Sequence, residues 1–229
     1  MGSALLIRHG QASFGAEDYD KLSHLGEQQS RQLGQWLRQT GQQPDLIVVG
    51  SMQRHIRTAE LCIEAAGVAP PQLTLEQLDE IDHVEIVARH RPDLTSFEDM
   101  RAELGASTDP QRAFQQLFAA AIARWTSGRH DSEYTRNWPA FRERVLQGLQ
   151  TLAAHDARTI WAFTSGGPIA VIANALVGAP ADNPFALGWP LVNTSLTRVA
   201  LGGNRHSLIS YNSWPHLELA GDARLVTHR

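Results

Sequence analysis

A single cysteine in 229 residues, Cys62, leaves no disulfide framework within the chain. Basic residues are not in excess. Lys and Arg number 20 against 24 Asp and Glu, a formal net charge of −4, so the positive footprint of a nucleic-acid binder is missing. Long apolar runs are missing too: the longest stretch, Ile169 to Val177, is broken by Asn174 and falls short of the ~20 residues that cross a bilayer. The opening MGSALLIRHGQ has no basic segment followed by a long apolar one, so no secretory signal is expected and a reducing cytoplasm is the expected compartment. What is present is 42% hydrophobic and 19% charged, enough apolar material for a sizeable core. The ten histidines are roughly twice the usual share.

Ala4 to Ile7 is a short apolar run ending in Arg8-His9-Gly10, the pattern of a buried strand opening into a polar turn. Ser23 is placed to cap a helix over Gln28 to Thr40, with Leu33, Trp36 and Leu37 as its apolar stripe and Gly41 and Pro44 as its stop. Asp45 to Gly50 reads as a second buried strand, and Ser51 as the cap of a helix reaching Ala66. Leu73 to Leu78 reads as a strand or extended edge before Asp79-Glu80. From about residue 86 to 155 the spacing turns helical, with Phe114, Leu117, Phe118, Ala121, Ile122 and Trp125 on one face and Phe141, Val145, Leu149 and Leu152 on another. Arg158 to Thr164 is a third buried strand, Ser165 to Pro168 its turn, and Ile169 to Val177 a helix that tolerates Pro168 in its first turn. Asn193 to Leu201 and His206 to Tyr211 make a final strand pair, with Asn193 and Asn212 as turn formers. This alternation predicts a three-layer α/β/α sandwich with a mostly parallel central sheet. One domain over 1–229 is expected, carrying a helical insertion at about 86–140 that lids the site.

In an open parallel sheet, ligands bind outside the carboxyl ends of the strands. Three turns are therefore expected to converge: Arg8-His9-Gly10, the helix start at Ser51 and Arg54, and Thr164 to Gly167. The guanidiniums of Arg8 and Arg54 can clamp a dianion, and the Gly166 and Gly167 amides at a helix start point towards it. Neighbouring cations depress the pKa of His9, leaving an unprotonated nitrogen to attack phosphorus and form a phosphohistidine that water hydrolyses. A cation in a first helical turn opposes the helix dipole, so Arg54 calls for an anion; Arg57, one turn on, reads as solvated or structural. Ser165 reads as a helix N-cap, a phosphate donor or both. It does not read as a nucleophile, because a G-x-S-x-G elbow needs glycine where Phe163 stands. The other histidines show no H-x-x-x-H or H-E-x-x-H spacing and no Cys partner, so no metal site and no cofactor are expected. The tryptophans read as core or cleft walls.

These segments resemble, over nearly the whole chain, the histidine phosphatase or phosphoglycerate mutase-like superfamily. Leu6 to Gly10 resembles its RHG signature, Leu22 to Gln29 its LT..G..QA segment, and Gly50 to Ala59 its S-x-L-x-R-A-x-Q-T-A helix start. Leu78 to Glu80 is similar to its L-x-E segment and Thr164 to Pro168 to its T-H-G-G-P turn. The resemblance implies His9 as the phosphorylated nucleophile, Arg8 and Arg54 as phosphate ligands, and Glu80 as proton donor to the leaving oxygen, with Glu85 as the substitute acid. Two positions depart from the family pattern. Ser165 stands where the family has a second histidine, and Gly15 where many members carry an Asn phosphate ligand. Losing one donor to developing charge costs ~10²–10³ in rate, which the Ser165 hydroxyl and the Gly166 and Gly167 amides offset in part. His55, His83 and His216 are candidates to fill the vacated space, and Ser165→His is expected to raise the rate. The expected activity is weak, metal-independent hydrolysis of a phosphomonoester through phospho-His9, the partner being a phosphorylated small molecule or phosphate, with no nucleic acid and no membrane. The alternative is a catalytically impaired member that binds a phosphorylated small molecule or protein. A mutase role is less favoured, because the family's mutases use both histidines and an insert not recognised in this chain.

Overall fold

Ala4, Leu5, Leu6 and Ile7 fill the middle of strand β1 (Gly2–Arg8) and are all buried, as expected of an apolar run without alternation. The computed structural model describes residues 2–13, 20–105, 107–178, 187–203 and 205–228. Gly15 lies outside them, so the expectation attached to it has no structural counterpart. No helix among the described residues is long and apolar enough to cross a membrane.

Two compact units make up the chain. The first comprises Met1–Glu80 and Arg144–Arg229 and is built on a six-stranded sheet. Along the chain come β1, α1 (His24–Gln39), β2 (Leu46–Val49), α2 (Gln53–Ala66), β3 (Gln72–Thr74), and later β4 (Thr159–Thr164), α7 (Gly166–Val177), β5 (Leu196–Leu201), β6 (His206–Ser213) and α8 (Pro215–Ala220). In space the order is β3-β2-β4-β1-β5-β6. Strands β1 to β4 are mutually parallel, while β5 runs antiparallel to β1 and β6 antiparallel to β5. The last strand of the parallel set is thus inserted between the first two.

Alternation along the strands assigns the two faces. Leu5, Ile7, Ile47, Val49, Trp161 and Phe163 pack with Leu33 and Leu37 of α1 and with Ala59, Cys62 and Ala66 of α2. Ala4, Leu6, Val48, Ile160 and Ala162 point the other way and are equally buried. Residues Gly166 to Ala173 of α7 are buried without exception, which explains why that helix is apolar all round rather than amphipathic. Each fully buried large aliphatic or aromatic side chain contributes roughly 1.5–3 kcal/mol, so this double-sided burial is what holds the central strands in place.

Local signals were partly reassigned by tertiary contacts. Ser23 caps α1 as expected, its Oγ accepting from the Gly26 amide at 3.1 Å, although the helix begins at His24 rather than Gln28. Ser51 does not cap α2: the N-cap is Met52, without a side-chain cap bond, and Ser51 turns instead to Asp79. The extended segment expected at Leu73 to Leu78 divides into β3 and a 3-10 turn, Glu76–Leu78.

The second unit, Ile81–Glu143, begins before and ends after the insertion expected at 86–140. It holds α3 (His83–His90), α4 (Phe97–Gly105), α5 (Pro110–Thr126) and the first turns of α6 (Trp138–Ala154). Asp109 caps α5 by accepting from the Arg112 amide at 3.1 Å, with Pro110 in the first turn. Ala121, Ile122 and Trp125 are buried, and the Trp125 ring meets Trp138 at 5.4 Å and Phe141 at 5.5 Å.

Candidate active site

The carboxyl ends of β1, β2 and β4 lie side by side because the strands are in register, Arg8 opposite Thr164 and Val49 opposite Phe163. The ladder continues one step into the turns: the His9 amide donates to Thr164 O at 2.9 Å and the Gly50 amide to Phe163 O at 3.0 Å. The three turns expected to converge are therefore neighbours, which brings Arg8, His9, Arg54, Ser165 and Gly166 to one edge of the sheet.

His9 is 6% exposed, and its Nδ1 lies 2.7 Å from Gly10 O. A carbonyl only accepts, so that nitrogen carries the proton and Nε2 presents a lone pair. The Gly10 amide donates to Thr58 Oγ1 at 3.0 Å, and Asn193 Nδ2 donates to His9 O at 3.1 Å, fixing the turn from both sides. Burial, then Arg54, Arg8 and His55, hold the His9 pKa well below its ordinary value. Asn193 is thus a buried support of the Arg8-His9-Gly10 turn rather than a simple turn former. The strand expected from Asn193 starts only at Leu196, after Thr194 takes a left-handed φ of 60°.

Arg54, in the first turn of α2, is 2% exposed and does have an anion: Asp20 Oδ1 lies 2.6 Å from Nη1, while Asp20 Oδ2 accepts from the Gln53 amide at 2.8 Å. A carboxylate thus answers the helix dipole. Arg8 donates through Nη1 to Leu191 O and through Nη2 to His228 O at 3.4 Å. Arg57 pairs with Glu27 and Glu60 on the surface, the structural role expected for it.

Glu80 reaches α7. Its Oε2 accepts from the Gly167 amide at 3.0 Å, and a Cβ on Gly167 would stand 2.1 Å from Oε1, so glycine is what admits the carboxyl. The Gly167 amide, expected to point at phosphate, is therefore turned to the acid. Glu85, the substitute acid, belongs to the second unit, where its carboxylate accepts from the Thr135 amide at 2.8 Å and faces Arg89 at 3.6 Å.

Ser165 occupies the N-cap position of α7 without a side-chain cap bond. Its Oγ is hydrogen-bonded instead to His55 Nε2 at 2.6 Å. Of the three histidines considered for the vacated space, His55 is the one beside Ser165. Its ring is fully buried and 5.7 Å from the ring of His9. His83 packs on Phe118 in the second unit, and His216 meets Thr194 Oγ1 at 2.9 Å. Behind His55, Asp79 Oδ1 lies 3.7 Å from Nδ1, with Asp79 itself held by the Ser51 amide at 2.7 Å and Ser51 Oγ at 2.5 Å. Burial lowers the His55 pKa most and Arg54 lowers it further, while Asp79 and Glu80 pull it up. Sequence reasoning assigned no role to Asp20, Thr58 or Asp79. The one available signal was His55 itself, adjacent to a candidate phosphate arginine. Among the described residues no three His, Cys, Asp or Glu side chains gather as a metal-binding group.

Comparison with known proteins places this geometry. A stretch of 75 residues is 36% identical to the 2,3-bisphosphoglycerate-dependent phosphoglycerate mutase of Thermobifida fusca (strain YX), and that match spans 30% of this chain and 30% of the mutase. The alpha-ribazole phosphatase of Shigella flexneri superposes with a TM-score of 0.64 at 18% identity, over 92% of this chain and 96% of that one. A mycobacterial glucosyl-3-phosphoglycerate phosphatase gives a TM-score of 0.62 at 22% identity, over 93% and 99%. At such identities these superpositions speak to the fold. The profile of the histidine phosphatase superfamily (branch 1) matches residues 4–213, from within β1 to the end of β6, and on that match this chain belongs to the histidine phosphatase superfamily.

Proposed function

We propose that the protein hydrolyses a phosphomonoester through a phosphohistidine at His9, without a metal. The observation that carries this reading is the His9 imidazole, whose Nδ1 proton is committed to Gly10 O at 2.7 Å and whose pKa is depressed, leaving Nε2 unprotonated at neutral pH. Arg8 and Arg54 supply the positive charge for the phosphoryl oxygens, Arg54 exchanging Asp20 for the substrate. Nε2 attacks phosphorus as the ester P–O bond breaks, and Glu80, protonated, gives its proton to the leaving alkoxide. The Glu80 carboxylate then takes a proton from water as that water attacks phospho-His9, releasing phosphate. The Ser165 hydroxyl and the Gly166 amide complete the oxyanion contacts.

The family includes phosphatases whose names specify alpha-ribazole and glucosyl-3-phosphoglycerate substrates, which supports a small phosphorylated metabolite as the substrate class. Hydrolysis is favoured over the mutase reaction because Ser165 replaces the second histidine in the turn. That serine also favours a second reading, a catalytically impaired member that binds phosphorylated ligands. The expected compartment is a reducing cytoplasm, in keeping with the single buried, unbridged Cys62.

The test is hydrolysis of p-nitrophenyl phosphate by wild type and His9→Ala between pH 5 and 8, with acid quenching to detect an acid-labile phosphoenzyme. Turnover that disappears with His9 supports the hydrolase. Equal rates sink the phosphohistidine, and phosphate binding without turnover favours the binding reading.

A further inference from the structure

His55 takes no part in the mechanism above, yet it is a fully buried imidazole at the edge of the site. Its Nε2 is 2.6 Å from Ser165 Oγ, its ring is 5.7 Å from that of His9, and the chain has cleared space for it. A Cβ on Gly50 would stand 2.2 Å from His55 Nδ1, so only glycine lets the ring lie over that turn. Asp79, anchored by Ser51, stands behind Nδ1 at 3.7 Å. Burying an imidazole near Arg54, with a half-buried carboxylate behind it, is costly unless hydrogen bonds offset the lost hydration.

We propose that His55 is a positioning residue for phosphoryl transfer, acting from α2 through Ser165 Oγ in place of an imidazole on the turn between β4 and α7. A phosphoryl dianion only accepts hydrogen bonds, so the single Ser165 hydroxyl proton goes to it and Oγ must accept from His55 Nε2–H. The result is a chain of donors, His55 N–H to Ser165 O–H to phosphoryl oxygen, that strengthens as negative charge builds on the transferring group. This inference rests on the phospho-His9 reading and deepens it.

On this proposal Ser165→His alone loses the gain expected of it, because a ring at 165 would compete with His55, 2.6 Å from Ser165 Oγ, for one space. The informative experiment moves the imidazole: kcat and KM for p-nitrophenyl phosphate are measured for His55→Ala, His55→Gln, Ser165→Ala, Ser165→His and the double variant His55→Ala with Ser165→His, with thermal melting confirming the fold. His55→Ala is expected to lower kcat by ~10²-fold with KM changed far less. His55→Gln, which keeps an N–H donor on a side chain of similar reach, recovers part of the loss. Ser165→His alone loses activity, and the double variant exceeds both of its parents. Combining His55→Ala with Ser165→Ala costs little more than either, since the two act as one unit. A folded His55→Ala that keeps kcat within about twofold overturns the proposal, and so does a double variant no better than its parents. An acid-stable phosphoserine at Ser165 also overturns it, by making His55 a base for a serine nucleophile. If His9→Ala matches wild type, the underlying mechanism has failed; an essential His9 with a dispensable His55 rejects this inference alone.

Discussion

Asp20 holds Arg54 as an intramolecular ligand, its Oδ1 2.6 Å from Nη1 and its Oδ2 on the Gln53 amide. On the proposed mechanism Arg54 therefore meets its substrate by exchange, one anion displacing another. Asp20→Asn weakens the competitor while keeping a hydrogen-bond acceptor. The expected outcome is several-fold tighter inhibition by inorganic phosphate, read as a lower Ki with kcat little changed. An unaltered or weaker Ki would show that the carboxylate orients Arg54 more than it blocks it.

Gly167→Ala tests the acid. The new Cβ would meet Glu80 Oε1 at 2.1 Å and push the carboxyl off the helix start. General-acid help is worth ~10²–10⁴ in rate and matters most for a poor leaving group. Hydrolysis of an alkyl phosphate is therefore expected to fall much further than that of p-nitrophenyl phosphate. A uniform loss on both substrates would point away from Glu80 as the proton donor.

Gly50→Ala tests the histidine pair from the opposite side. Its Cβ would stand 2.2 Å from His55 Nδ1 and 2.7 Å from Asp79 Oδ1, both parts of a crowded, buried arrangement. The expected result is a loss in kcat of the size expected for His55→Ala, together with a lower melting temperature from overpacking of about 1–3 kcal/mol.

Stability should fall with acidity. Burial pushes the His216 pKa down to about 3 and lowers those of His9 and His55. Below pH ~6.5 the unfolded chain takes up protons at these positions that the native state refuses, so unfolding becomes easier as pH drops. The slope is about 1.4 kcal/mol per pH unit for each histidine kept neutral. Denaturant unfolding at pH 7.5 and 5.5 should show the loss, and His216→Gln should flatten the dependence by one histidine's share. A variant with wild-type slope would mean His216 takes up its proton in the native state.

The sheet was readable from composition along the chain, since strands buried on both faces are continuous apolar runs such as Leu46 to Val49 and Ile160 to Phe163. The turns that follow them were readable for the same reason: a polar triplet at the end of a buried strand has nowhere to be except the sheet's carboxyl edge. Partner choice was not. Ser23 and Ser51 both precede helices, yet only Ser23 caps one, because Asp79 arrives from another part of the chain to claim Ser51. Ser165 and Gly167 follow the same rule, one diverted to His55 and the other to Glu80. Local grammar says what a serine or an amide could bind nearby; which competitor reaches it first is decided by topology. Asn193 escaped for a related reason, its amide being spent on the carbonyl of His9.

The placement of β4 between β1 and β2 bears on how the fold comes into being. Thr164 must be delivered beside Arg8 across more than one hundred and fifty residues of intervening chain, a pairing of high sequence separation of the kind that forms slowly. During synthesis the Arg8-His9 turn emerges first and waits. A nascent chain that ends before Thr159 has neither the strand that joins β1 to β2 nor the turn that carries Ser165. The carboxyl edge that gathers Arg8, His9 and Ser165 is therefore complete only once β4 has paired with β1.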